Sequence, residues 1–231
     1  MLIFYHEIMV WIVSGLLLIL TIFFLSTLIN FIKQKKRVTL YLTLNYLSFI
    51  VAMIFFGLAH LTTVLNGTIM EFYFHSSMFA NVFAMFGIIT NILFHAKFAQ
   101  VKKSVQITKI VFGVLIILWI LMPFNFEVGG SSGGFSLKYI TYTLMSAYGI
   151  VIYAGLSTSF FKMAHQVTSQ SRNQLIALGM GSVIFLLYFV IITVFGITQL
   201  FLFLIISMLC LFGSFFCYFI GIYLPKFRTK K

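Results

Sequence analysis

Long apolar runs, broken by short polar clusters, run from one end of this chain to the other. Their spacing predicts seven helical segments: Ile8–Ile32, Leu40–Leu65, Phe72–Ala99, Ile107–Phe124, Leu137–Phe161, Gln174–Phe195 and Gln199–Leu224. A membrane-crossing helix needs about 20 apolar residues. The expectation is therefore an all-α integral membrane protein, a single seven-transmembrane-helix bundle over residues 1–231.

The breaks have physical causes. Lys33 to Arg37 (KQKKR) follows the first segment, Asn66-Gly67 makes a turn after the second, and KFAQVKKS follows the third. Met122-Pro123 lies near the end of the fourth. Pro225 is expected to close the seventh, because proline cannot continue a helix. Between Arg172 and Lys226 the chain is apolar almost throughout. As one helix that stretch would be about 75 Å long, enough for two crossings of a ~30 Å core and too long for one. The break at Gly196-Ile197-Thr198-Gln199 is expected to be a hairpin.

Composition agrees with the pattern: of 231 residues, 62% are hydrophobic and 8% charged. A soluble domain is near half apolar and a quarter charged. The formal charge is +12, and the only acids are Glu7, Glu71 and Glu127. In the seven-segment layout every lysine and arginine except Lys138 falls on one face, and all three glutamates fall on the other. The positive-inside rule makes the basic face cytoplasmic, with the N-terminus outside and the C-terminus inside. Basic residues placed between apolar runs are topology signals beside anionic lipid, and no nucleic-acid partner is expected. The first segment has no basic residue before it and no small-residue cleavage site, so it is expected to be an uncleaved span. Cys210 and Cys217 are separated by about 10 Å of helix, too far to bridge. Gly129 to Gly134 (GGSSGG) reads as a flexible linker without a catalytic role.

Two kinds of stripe mark contact faces. Gly213, Cys217 and Gly221 in the seventh segment, and Ala177 and Gly181 in the sixth, are small residues at close-packing spacing. One such seam between copies would make a homo-oligomer. Asn81, Asn91 and His95 share an arc of about 80° on the third segment. Tyr142, Ser146, Tyr153 and Ser157 share a face of the fifth, and Asn45 adds a polar group on the second. Such residues face a bundle interior, either as interhelical hydrogen bonds or as the lining of a polar ligand cavity. No ionised residue is expected at mid-membrane, which argues against a pump. A retinal protein is excluded, because the last segment has no lysine before Lys226.

Candidate chemistry gathers at the outer end. Glu71 and His75 are one helical turn apart, and His60 ends the neighbouring segment. Three readings stay open. These residues contact headgroups; or, with Glu7 or His6 as further donors, they bind a cation, a metal or a small polar ligand; or the histidines ligate haem b. In the haem reading His60 and His75 serve an outer haem, and His95 and His165 an inner one. No HExxH or paired Asp is present, so the chain is not expected to be an enzyme.

The sequence GIYLPKFRTKK (Gly221 to Lys231) resembles the junction at which seven-helix sensor regions of prokaryotic histidine kinases leave the membrane. There a proline precedes an aromatic-basic step, as do Pro225, Phe227 and Arg228 here. The long polar third segment ending in basic residues is similar too. The resemblance covers the seven-span layout over most of the chain and implies a sensor in a prokaryotic cell membrane. In that family a coiled coil and a kinase follow, whereas this sequence ends at Lys231 without a nucleotide site. The expectation is a non-catalytic, receptor-like signalling module with no cofactor, acting through a protein partner at its cytoplasmic face. Its ligand is expected among His60, Glu71, His75, Asn81, Asn91 and Tyr142, with His60, His75 and Glu71 as the metal candidates. A haem- or metal-binding redox subunit and a structural subunit of a membrane complex are the alternatives.

Overall fold

The computed structural model describes residues 2–67, 71–98, 113, 137–167, 170–198 and 201–228. Those residues form six long helices: α1 (Leu2–Gln34), α2 (Arg37–Asn66), α3 (Glu71–Phe98), α4 (Leu137–Gln166), α5 (Gln170–Thr198) and α6 (Phe201–Arg228). Four stretches are long and apolar enough to cross a membrane: Phe4–Gln34, Arg37–Asn66, Ser171–Val194 and Leu202–Tyr223. The described residues are all helical, and four of their helices have the length and apolar character of membrane spans, as expected of an all-α integral membrane protein. The predicted segment over 107–124 lies outside the described residues except for Gly113, which is helical.

Most helices run past the expected ends. Apolar counting stops at the last hydrophobic residue, but helical hydrogen bonding continues through polar ones. α1 begins at Leu2 rather than Ile8 and so includes His6 and Glu7. α6 passes Pro225 and ends at Arg228, which corrects the expected stop. Proline there removes one N–H bond, to the Gly221 carbonyl, in the last turns of the helix. Most of the expected break is helical: α5 continues through Gly196 to Thr198, and α6 starts at Phe201. Two helices that pack on each other thus occupy the long apolar stretch, as its length requires.

The chain divides into two units, Met1–Ser132 and Gly133–Lys231, and the division falls inside the GGSSGG sequence. In the first unit α2 packs against both α1 and α3. α1 turns into α2 at Lys35, whose backbone is left-handed (φ 51°) and whose N–H donates to the Phe31 carbonyl at 2.7 Å. Lys36 is extended, and α2 begins. α2 ends at Gly67, also left-handed (φ 70°), its N–H donating to the Thr63 carbonyl at 3.0 Å. Glycine suits that closing position because it has no Cβ to clash.

One buried stripe runs the length of α1: His6, Met9, Val13, Leu16, Leu20, Phe23 and Thr27. The steps alternate between three and four residues, the spacing that keeps one helix against a neighbour. The opposite stripe, from Phe4 through Trp11, Leu18, Ile22, Leu25 and Ile29 to Ile32, is exposed, as a lipid-facing surface would be. Val13 lies against Gly57, and the rings of Phe23 and Tyr46 are 5.7 Å apart, so α1 and α2 run antiparallel in a continuous seam.

A second device joins α2 to α3. Asn45 Nδ2 donates to the Gly87 carbonyl at 2.6 Å, and one turn later the Phe49 ring lies flush on Gly87. The second unit, with α5 packed against α4 and α6, builds the same clamp. Ser214 Oγ donates to the Gly181 carbonyl at 2.9 Å, and one turn later Tyr218 covers Gly181. In lipid, where apolar contact gains little over acyl chains, close backbone approach and interhelical hydrogen bonds hold helices together. The predicted small-residue seam is used inside this unit. Cys217 meets Gly181, and Gly221 meets Leu178 and the Gln174 carbonyl.

Candidate functional site

The distinctive polar feature lies at the open end of the α1–α2 seam. His6 is the first buried member of the α1 stripe, at 2% exposure, and His60 on α2 is at 0%. Their Nδ1 atoms are 2.7 Å apart, in hydrogen-bond contact. Such a contact needs one Nδ1 that carries a proton and one that offers a lone pair, so the rings take complementary roles. Two imidazolium rings could not make it, because two N–H groups would face each other.

Aromatic edges hold the pair. Tyr5 meets His6 at a centroid distance of 4.7 Å and His60 at 5.6 Å, and Phe56 meets His60 at 4.6 Å, all near perpendicular. Edge-to-face packing of this kind fixes ring orientation. Glu7 points away and is exposed. The site is thus two imidazoles from adjacent helices in an aromatic sleeve.

A further polar layer links α2 and α3. Besides Asn45 on Gly87, Ser76 Oγ donates to the Phe55 carbonyl at 2.6 Å. Asn91 is fully buried on α3. The Asn45 Oδ1 atom is buried without a hydrogen-bond partner among the described residues. In the second unit Ser146, Tyr153 and Ser157 are buried on α4, as their shared face predicts. Tyr153 stacks on Phe185 at 4.5 Å, and Ser182 Oγ lies 3.3 Å from the Tyr218 hydroxyl.

Of the sequence candidates, His60 and Asn91 are buried on α2 and α3. The side chains of Glu71, His75, Asn81 and Tyr142 lie outside the described residues, as does that of His95. His60 is brought against His6, which the candidate set named only as an additional donor. The signal for His6 was present: three residues back from Met9, it continues the buried three-four stripe. Among the described residues no three His, Cys, Asp or Glu side chains gather as a metal set. The partners that the haem reading gives to His60 and His165, His75 and His95, have side chains outside the described residues. His165, proposed for an inner haem, is exposed at the end of α4.

No protein-family model, curated protein or solved structure matches the chain. The functional reading therefore rests on its own residues.

Proposed function

We propose that this chain is a non-catalytic membrane sensor module, with seven spans, its N-terminus outside and its C-terminus in the cytoplasm of a prokaryotic cell. The His6–His60 contact carries this reading. A buried imidazole inside a membrane helix is costly, and such residues mark functional sites by default. Here two of them close one end of a seam whose other end is the exposed basic turn Lys33 to Arg37. About 40 Å of α1 separates the two ends.

The mechanism follows from that layout. A ligand that prefers the pair separated shifts α1 against α2 by the 1–2 Å typical of helix displacements. The continuous seam transmits the shift to the basic turn, where lipid headgroups and a protein partner read it. The ligand can move the equilibrium only by its differential affinity for the two arrangements. Glu71 and His75, which begin α3 one turn beyond the end of α2, belong to the same end of the hairpin and extend the ligand site in this reading. The likeness of Gly221 to Lys231 to kinase sensor junctions supports the same role.

The test uses spin labels on the purified chain in lipid nanodiscs, with Cys210 and Cys217 replaced by serine. Labels at the exposed positions Ile29 and Leu44 report the distance between α1 and α2 near the basic turn. His60→Gln is expected to move that distance distribution. An unchanged distribution in a well-folded variant would mean that the pair communicates nothing, and would end the sensor reading.

A further inference from the structure

We infer that His6, His60 and Met9 form a binding site for a soft monovalent cation, cuprous copper. The inference rests on the sensor reading in one respect: it names the ligand that would part the two helices.

Three observations converge. Two imidazole nitrogens from different helices point at each other inside a buried layer, at 2.7 Å. Met9, at 0% exposure, follows His6 by one turn on the same buried stripe, which adds a thioether to the same seam. The donors that α1 and α2 supply are all neutral. The only acid on these two helices is Glu7, and it is exposed.

Charge selects the ion class. The cost of burying an ion grows with the square of its charge, so a monovalent ion costs about a quarter of a divalent one of equal size. The two imidazoles and the thioether bring no charge of their own, so these three donors serve a monovalent ion better than a divalent one. Thioether favours cuprous copper, and imidazole accepts it. Geometry then links binding to motion. Metal–nitrogen bonds of about 2 Å place two opposed nitrogens about 4 Å apart. The pair must therefore open by roughly 1.3 Å, within the usual range of helix shifts. As the metal enters, the ring that carries the joining proton on Nδ1 takes it on Nε2 instead, so both Nδ1 atoms offer lone pairs and both imidazoles stay neutral.

The experiment is an anaerobic competition titration of the full chain, with Cys210 and Cys217 replaced by serine. Cu(I) is shared with bicinchoninate, and Ag(I) serves as a redox-inert probe. One ion per chain is expected. X-ray absorption should show two nitrogen neighbours and one sulfur. His6→Gln and His60→Gln should each weaken binding by at least about 100-fold, and Met9→Leu by roughly 10-fold with loss of the sulfur neighbour. The absorption spectrum of the otherwise unaltered site decides the matter even if a histidine variant misfolds. Three results would overturn the assignment: no Cu(I) binding above that of a monodisperse His6→Gln/His60→Gln chain, tighter binding of Zn(II) than of Cu(I), or an absorption spectrum without nitrogen neighbours. Spin-label distances recorded on the same samples separate the two proposals. If His60→Gln moves α1 and no copper binds, the copper site fails and the sensor stands. If copper binds and α1 does not move, the site stands and the relay fails.

Discussion

At the scale of single residues, glycine separates tight contacts from open ones. A Cβ added at Gly87 would meet the Phe49 ring at 2.5 Å, and one at Gly181 would meet Tyr218 at 2.7 Å. Both rings are fully buried and have little room to yield. Gly87→Ala and Gly181→Ala should therefore destabilise the protein by about 1–3 kcal/mol, as overpacking does. Gly15 is the control, because nothing lies within 4 Å of a Cβ there. Gly15→Ala should be neutral, or should stabilise by roughly 0.5–1 kcal/mol through helix propensity. Unfolding titrations in mixed micelles rank the three variants. Asn45→Ala removes the bond to the Gly87 carbonyl and should cost about 1 kcal/mol, the scale of an interhelical hydrogen bond in lipid.

At the scale of helices, the α1–α2 seam decides how the histidine pair behaves as a unit. Removing one partner leaves the other imidazole without its mate, so His60→Leu alone should destabilise by about 1–3 kcal/mol. Replacing both histidines by leucine extends the apolar stripe and should be near neutral. The sum of the single costs should exceed that of the double, and a double-mutant cycle measures the difference. Additive costs would show that the rings do not interact. The seam also shows what the sequence disclosed. Runs of apolar residues located all six described helices, because lipid demands such runs. The small-residue seam of α6 is legible from spacing alone, and on α5 it meets Gln174, Leu178, Gly181 and Ile184. Hydropathy alone starts α1 at Ile8, which leaves the turn that carries His6 outside the helix. Hydropathy marks helix ends poorly for the same reason, and Pro225 does not stop α6 because it falls where few bonds remain to be lost. Which imidazole meets which depends on the register between helices, and one helix's periodicity does not contain that.

At the scale of the whole molecule, charge sidedness makes a prediction that does not depend on any ligand. Lys35 and Gly67 sit at opposite ends of α2, whose 30 residues span about 45 Å. On the orientation proposed from the positive-inside rule, Lys35 is expected in the cytoplasm. In intact cells, a cysteine at Gly67 should react with an impermeant maleimide, and one at Lys35 should react only after permeabilisation. The reverse pattern would turn the molecule over and place the histidine pair at the cytoplasmic surface. Gly67→Cys is strained by its positive φ, so Asn66→Cys serves as the second reporter.

The reversal at Lys35 has a consequence for sequence drift. A left-handed backbone at a residue with a side chain costs about 1–2 kcal/mol, which glycine does not incur and asparagine reduces. Position 35 in diverged descendants should thus wander among lysine, asparagine and glycine while excluding valine, isoleucine and proline. Losing that one positive charge to glycine should leave the orientation intact, because Lys33, Lys36 and Arg37 still mark the same corner. Tolerance at this site would be governed by backbone shape and not by charge.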